Sequence, residues 1–486
     1  MSYFNQVTSQ FDPSNMSAFG SLEAVDMTPK IQGDFAYGLN KQMWQYSYQF
    51  TLSGTPATAP SPGDVYTTNN NNFSVVISTG ATLICWASGP PAASGTLTRV
   101  TGSGTTPLTF TSYTTSAGAN IGTSSAITTS NSMLSITAGT ASGGFAYLLS
   151  RKIIRYRAGQ GNVIRMTPVF TTGIANTLQM MGVGAIVSNA PYDGYFFGYN
   201  GTTFGIFYYN RGTLTFYSQS SWNGDQINGG TGTSFTYNPT HGTPLMIKYP
   251  YLGFGDIEFY AEIPTTGRWT LIHTIQYANS ATTTQLSNPS LQILAYVSNG
   301  AATSGVTLGC GSFVCLLSGM LSFAGNPKWG MDSEKTGVTT EIPLITIQNC
   351  LSYNGVNNRG MVRFNSISMG TYGGFGASTL VATLMMKLSP VLGGTPSFTA
   401  IDSGATLSNN GVTLTGANSI ASYDTSATSI SSGIYLFNIS EGQGGSIQVD
   451  LTPYEIFLAP GEMITISAKS TTSCTVGVSL NWSEDI

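Results

Sequence analysis

Five of the chain's 17 Lys and Arg residues crowd into one stretch, LSRKIIRYRAGQGNVIRMTPVF (149–170), as Arg151, Lys152, Arg155, Arg157 and Arg165. Arginine offers a planar fork of donors that grips carboxylates and phosphates bidentately. Read as a strand, the stretch projects Arg155 and Arg157 from one face and Ile154 and Tyr156 from the other. AGQG (158–161) then turns the chain, and Asn162 to Met166 returns it with Arg165 near the first pair. Such a cluster suits a seam between subunits, with Asp26, Asp34, Glu258, Glu262, Glu484 and Asp485 as candidate acidic partners. A basic strand with one stacking Tyr also fits nucleic acid, but the net charge of −4 denies that reading its basic field. The plain alternative is a solvated edge strand guarded by its charges.

Carboxylates form a second pattern. In GDIEFYAEI (255–263), Asp256, Glu258 and Glu262 share one face of a strand because even steps separate them. Glycan hydrolases pair a nucleophile with a general acid, and the retaining mechanism needs the two carboxyls roughly 5–5.5 Å apart. Strand residues two apart stand roughly 6.5–7 Å apart at the backbone, and the spacing departs from an E-x-D-x-x-E form, so no enzyme is expected. His273 shares its parity with Leu271 and Ile275 and reads as a packed sheet residue, whereas His241, in NPTHGTP, reads as a turn. Neither has a Ser or Cys motif beside it, so no triad forms. Two His and five Cys without CxxC spacing leave no zinc site. Cys310 and Cys315 either bridge or, with Cys85, Cys350 and Cys474, are buried thiols.

The third pattern is aromatic. PYDGYFFGYNGTTFGIFYYN (191–210) offers Tyr192, Asp193, Tyr195, Tyr199, Asn200, Tyr208 and Tyr209 as contacts for a glycan or receptor at a lectin-like tip. The competing reading is core packing, since half the rings of a strand must point inward. Asp193 and Asn200 fall short of the six or more oxygens that calcium takes. No metal or other cofactor is expected.

The elements that would position these residues are strands. The chain has 486 residues, of which only 8% are charged, against roughly 25% in an ordinary soluble domain. Helical periodicity is nearly absent, while period-two alternation recurs in FSVVIS (73–78), WTLIHTIQYA (269–278) and MITISAKS (463–470), with Gly, Asn and Pro between. The expected fold is all-β: two β-sandwich or jelly-roll domains with an extended N-terminal arm. The arm spans 1–50, a small β-rich insertion or domain 51–125, the central sandwich 126–321, a linker 322–345 and a C-terminal jelly roll 346–486. A surface this poor in charge suits a chain packed against copies of itself. The N-terminus lacks a basic region followed by an apolar run, and no apolar run is long enough to span a membrane.

Five stretches carry a resemblance: SAFGSLEAVDMTPKIQ (17–32), RYRAGQGNVIRMTPVFTTGIAN (155–176), DGYFFGYNGTTFGIF (193–207), GFGDIEFYAEIPTTGRWTLIHTIQYAN (253–279) and PGEMITISAKSTTSCTVGVSLNWSEDI (460–486). They resemble a family of virion structural proteins, of spike, fibre or minor capsid type, from tailed phages and large DNA viruses. The central part also looks like a concanavalin-type sandwich, a likeness of pattern that licenses no function alone. The resemblance implies a non-catalytic protein of the particle surface, made in the host cytoplasm and acting through a homo-oligomer, a trimer for preference. Other capsid or tail proteins are the implied partners, without nucleic acid or membrane insertion. A host glycan or receptor module is the alternative reading, and a glycan hydrolase stands behind it.

Overall fold

The computed structural model describes residues 27–486 apart from 62–63, 69–70, 88–90, 92, 102, 123, 157–159, 303, 319–324, 355, 374–379, 403–405, 410–411 and 416–417. The described residues form strands and turns, with single 3-10 turns at Gln219–Ser221 and Thr452–Tyr454, so the chain is all-β. They divide into two units, one within Met1–Tyr46 and Ser116–Ser322, the other within Ser47–Thr115 and Phe323–Ile486.

The first unit contains two antiparallel sheets, of eight and seven strands. Seven strands of the eight-stranded sheet run in the order Trp269–Ile275, Ile257–Glu262, Leu245–Tyr249, Asn162–Phe170, Val306–Ser318, Met133–Ala138, Ala126–Ser130, and the eighth, Met27–Asp34, pairs with Val306–Ser318 off this path. The seven-stranded sheet runs Thr213–Ser218, Thr203–Asn210, Ala190–Asn200, Thr177–Val187, Gln292–Asn299, Gly144–Leu149, Ala119–Ile121. Their facing sides share one core, in which Ile164, Ile247 and Phe259 of the first sheet join Val183, Phe197 and Ile206 of the second. This is the sandwich that period-two alternation implies. The seven-stranded sheet is aromatic on its other face too, where Phe196, Phe207 and Tyr209 are buried. There Phe196 stands 6.2 Å from Tyr209, and Phe207 stands 4.9 Å from Phe216, centroid to centroid. Glycine makes room for these rings: a Cβ on Gly184 or Gly194 would meet the Phe196 ring, and one on Gly198 would collide with the Gln179 carbonyl oxygen.

Residues 27–46 of the expected arm are part of the sandwich unit. Met27–Asp34 pairs antiparallel with Val306–Ser318, and buried Phe35 stacks on buried Trp44 at 5.6 Å. Phe35 and Trp44 are core, and both also meet Phe313, more than 250 residues away along the chain, whereas Tyr37 is exposed. Residues 1–26, Asp26 among them, lie outside the described residues. The chain leaves this unit at Tyr46 and re-enters it at Gly118, which bridges Tyr46 in parallel. In between, Tyr46–Leu52, Thr82–Ala87, Asn71–Thr79, Val65–Thr68, Gly95–Thr101 and Leu108–Ala117 close a barrel in that order. Phe50 fills it, 5.1 Å from Phe73 and 4.9 Å from Phe110, and closure leaves no exposed edge.

The C-terminal part carries a five- and a six-stranded sheet around a core that includes Ile347, Leu384, Ile466, Phe364 and Trp482. Lys328–Val338, within the stretch expected to be a linker, is an edge strand on Cys474–Asp485. Its charges read as a connection because Lys328, Asp332 and Glu334 occupy the exposed positions of that edge. The last strand buries Val476, Val478 and Leu480. Glu484 is also buried there, accepting hydrogen bonds from the Ser419 hydroxyl, from Ile420 N at 3.0 Å and from Trp482 Nε1 at 3.3 Å. Burial raises its pKa above the usual carboxylate value. It is therefore no surface partner for an arginine seam. All five cysteines are free and buried. Cys310 and Cys315 lie five positions apart on one strand, roughly 16 Å along it, beyond the reach of a disulfide.

Candidate binding site

The basic cluster does not assemble as a hairpin. Residues 151–156 form no strand beyond one bridge, Ile154 to Leu291, and Ile153 and Ile154 are buried. Arg151 is buried, Lys152 and Arg155 are half-buried, and Arg157 lies outside the described residues. Arg165 belongs to the eight-stranded sheet, where its guanidinium stacks over Trp269 at 5.5 Å. On that same sheet Lys248 Nζ meets Glu258 at 3.4 Å, and the Tyr260 hydroxyl donates to Glu258 at 2.8 Å. The expected carboxylate row is broken, because the strand begins at Ile257. Asp256 precedes it and accepts from Tyr277 N at 2.7 Å and Ala278 N at 3.0 Å. Of the histidines, His241 is exposed, whereas His273 is buried against Tyr217 with its ring 4.7 Å away. Among the described residues no group of three His, Cys, Asp or Glu side chains is placed to hold a metal.

The aromatic tip is also redistributed. Tyr195, Tyr208 and Tyr209 are buried and present no ring to a ligand. Tyr199 and Asn200 are half-buried at the far end of Ala190–Asn200 from Tyr192 and Asp193, roughly 20 Å away along the strand. Tyr199 packs against Phe204 at 5.3 Å.

What the tip residues do is hold loops. Asp193 is fully buried, and its carboxylate accepts from Arg211 N at 3.1 Å, Ser287 N at 3.2 Å and the Ser287 hydroxyl. This fastens the hairpin turn at 210–213 to the loop 276–291. Half-buried Tyr192 accepts from Gly212 N at 2.7 Å. Tyr195 donates its hydroxyl to Gln285 Oε1 at 2.7 Å, and Tyr208 donates to Gln285 O at 2.6 Å. Gln285 in turn donates from its side chain to Gly255 O and from its backbone to Gly253 O. Two core tyrosines thus brace the loop 250–256 from beneath.

That loop, PYLGFGD, is strained. Tyr251 and Leu252 are consecutive non-glycine residues in the left-handed region, with φ 59° and 44°. Each costs roughly 1–2 kcal/mol, and such positions persist only where the surroundings over-determine them. Here they do: Leu252 N donates to the Tyr156 hydroxyl at 3.1 Å, the Tyr156 and Tyr251 rings meet edge-on at 4.9 Å, and Gly255 N donates to Tyr251 O at 2.6 Å. The outcome is an apolar surface: Leu252 is 55% and Phe254 39% exposed, with Tyr277 6.2 Å from Phe254. Beside it the Arg211 guanidinium donates to Thr284 O at 3.4 Å, Thr284 Oγ1 at 3.3 Å and Asn210 Oδ1 at 3.0 Å. Sequence patterning did not single out Leu252, Phe254, Tyr277 or Arg211. The available signal was an aromatic, Gly-containing connection between two clean strands, longer than a hairpin turn.

No family model and no curated relative matches the sequence. Among solved structures, the xylan β-1,4-xylosidase of Bacillus halodurans C-125 is similar at 10% identity and TM-score 0.25, over 38% of this chain and 32% of that one. The cellulose-induced protein Cip1 is similar at 11% identity and TM-score 0.28, over 59% of this chain and 96% of that one. Basic winged bean lectin with Tn-antigen is similar at 12% identity and TM-score 0.26, over 39% of this chain and 88% of that one. Likenesses this slight describe neighbours and carry no functional argument.

Proposed function

We propose that this chain is a carbohydrate-binding protein, with its sugar site on the loops 210–213, 250–256 and 276–284 of the sandwich. The observation that carries the reading is the braced, strained loop that keeps Leu252 and Phe254 exposed beside Tyr277. Folding alone gains nothing from holding apolar side chains in water at a conformational cost, whereas a binding surface gains preorganisation. Sugars present an apolar C–H face and a rim of hydroxyls, which match an aromatic platform edged by Asn210 and Arg211. The function is binding rather than catalysis, because Glu258 is engaged by Lys248 and Tyr260, and Asp256 caps residues 277–278.

A glycan screen with the full chain tests this. Phe254→Ala and Leu252→Ala are expected to lower affinity for the best sugar at least tenfold, about 1.4 kcal/mol, with unchanged far-UV circular dichroism. A screen without binding, or binding indifferent to both substitutions, contradicts the reading.

The second reading is a virion structural protein acting through a homo-oligomer. Its support is the 8% charged composition, and an edge strand, Ile434–Gly442, that leaves Tyr435 exposed. The two readings are compatible, since a particle-surface protein that holds a host glycan would need both. A monomer in solution at all concentrations would speak against the second alone.

A further inference from the structure

Resting on the sugar-binding reading, we propose that the site selects carboxylated sugars, of uronic- or sialic-acid type, through Arg211. Arg211 stands at the tip of the hairpin between Thr203–Asn210 and Thr213–Ser218, with φ 51°, followed by Gly212 with φ 78°. Two left-handed residues make the tight turn in which Asn and Gly are the usual occupants. Closing the hairpin therefore does not call for an arginine. What the position does is aim a cation. The turn is pinned by the bond from Arg211 N to buried Asp193, and the guanidinium is pinned again by Thr284 and Asn210.

The pattern of those bonds leaves a defined edge. Nη1 donates to Thr284 O and Nη2 to Thr284 Oγ1, so Thr284 occupies the edge between the two terminal nitrogens. A guanidinium has five N–H donors in a fixed plane. Its remaining edge, formed by Nε and Nη2, meets no partner among the described residues, and Arg211 is exposed. That edge has the spacing of a carboxylate's two oxygens. Thr284 also abuts the strained loop: a Cβ on Gly253 would come 3.3 Å from Thr284 Cγ2. The cation and the Leu252–Phe254 platform therefore flank one residue, which places the acid group of a sugar beside its ring.

The test uses the full-length chain and two matched pairs of probes: sialyllactose against lactose, and trigalacturonic acid against its methyl ester. Isothermal titration is expected to favour the acid of at least one pair by roughly tenfold to hundredfold, the worth of a charged hydrogen-bonded contact. That preference should shrink as salt is raised. Arg211→Gln should abolish the preference, lowering affinity for the acid probe far more than for its neutral partner, and Arg211→Lys should restore it only in part, since an ammonium lacks the fork. Thr284→Val checks the bracing, because it removes the bond from Nη2 without removing the charge and should weaken the preference with no loss of fold. Equal affinities for acid and neutral probes, or a preference that survives Arg211→Gln, overturn the proposal. Neutral sugars bound through Phe254 would then leave the broader reading standing. No binding of any of the four probes or of any other sugar would remove both.

Discussion

Burial against Tyr217 lowers His273 to about 4, because the charged imidazolium would lose its water. Its Nδ1 accepts from Asn223 N at 3.3 Å, which fixes the neutral ring further. The folded value lies below the unfolded value of 6.5, so this contribution to stability is complete above pH 6.5 and is lost as pH falls through about 4. Each pH unit of displacement is worth about 1.4 kcal/mol, so urea midpoints should drop between pH 6.5 and 4. His273→Gln, which keeps an acceptor but cannot titrate, should flatten that part of the fall; an unchanged slope would contradict the assignment. His273 is packed on the side of Ile275, but Leu271, of the same parity, is exposed, because a register shift opposite Phe259 and Tyr260 breaks the alternation there. The fate of the tyrosines was not legible in the sequence. Alternation divides a strand into two faces, and it tells buried from exposed only when one face is wet. The sheet that holds Tyr195 and Tyr209 is buried on both sides, so choosing a face could not yield a ligand-facing set. Arg211 escaped notice for a different reason: its edge is defined by Thr284, 73 residues away.

Strands were readable wherever alternation was clean, and the all-β class followed from that. Element boundaries went astray where charge was taken for a loop, as in Lys328–Val338, whose charges guard an edge. Two substitutions probe how the elements are built. Gly198 lies between Met180 and Gly205 on neighbouring strands, and a Cβ there would collide with the Gln179 carbonyl oxygen. Gly198→Ala should cost at least about 2–3 kcal/mol, an overpacking penalty taken against backbone that cannot move aside. A thermal midpoint within a degree of the parent would show that the sheet opens freely there. The loop 250–256 behaves in the opposite sense. Leu252 has φ 44° and is 55% exposed, so Leu252→Gly removes backbone strain and little packing. It should raise stability by up to about 1 kcal/mol while weakening sugar binding, the trade expected of a strained functional residue. A glycine variant both less stable and fully binding would mean that the strain has another cause. No pattern in the sequence announces two consecutive left-handed residues when neither is Gly, Asn or Asp. They exist because Tyr156, Gln285 and Leu286 hold the loop from elsewhere in the chain.

At the scale of the whole molecule the chain interrupts one sandwich with a barrel and then builds a second β unit. The expected insertion or domain at 51–125 opens on the turn-rich SGTPATAPSPGD (53–64); the barrel starts earlier, with Tyr46–Leu52, and its closure depends on pairings that no local window contains. Low overall charge and the braced loop cluster support the binding proposal at this scale. A binding titration of the full-length chain with the best sugar from a glycan screen, run beside Phe254→Ala, bears most directly on the central claim. The account predicts saturable binding that falls at least tenfold in the variant while its melting temperature stays within a few degrees of the parent. Parent and variant binding alike, or neither binding any sugar, would contradict it.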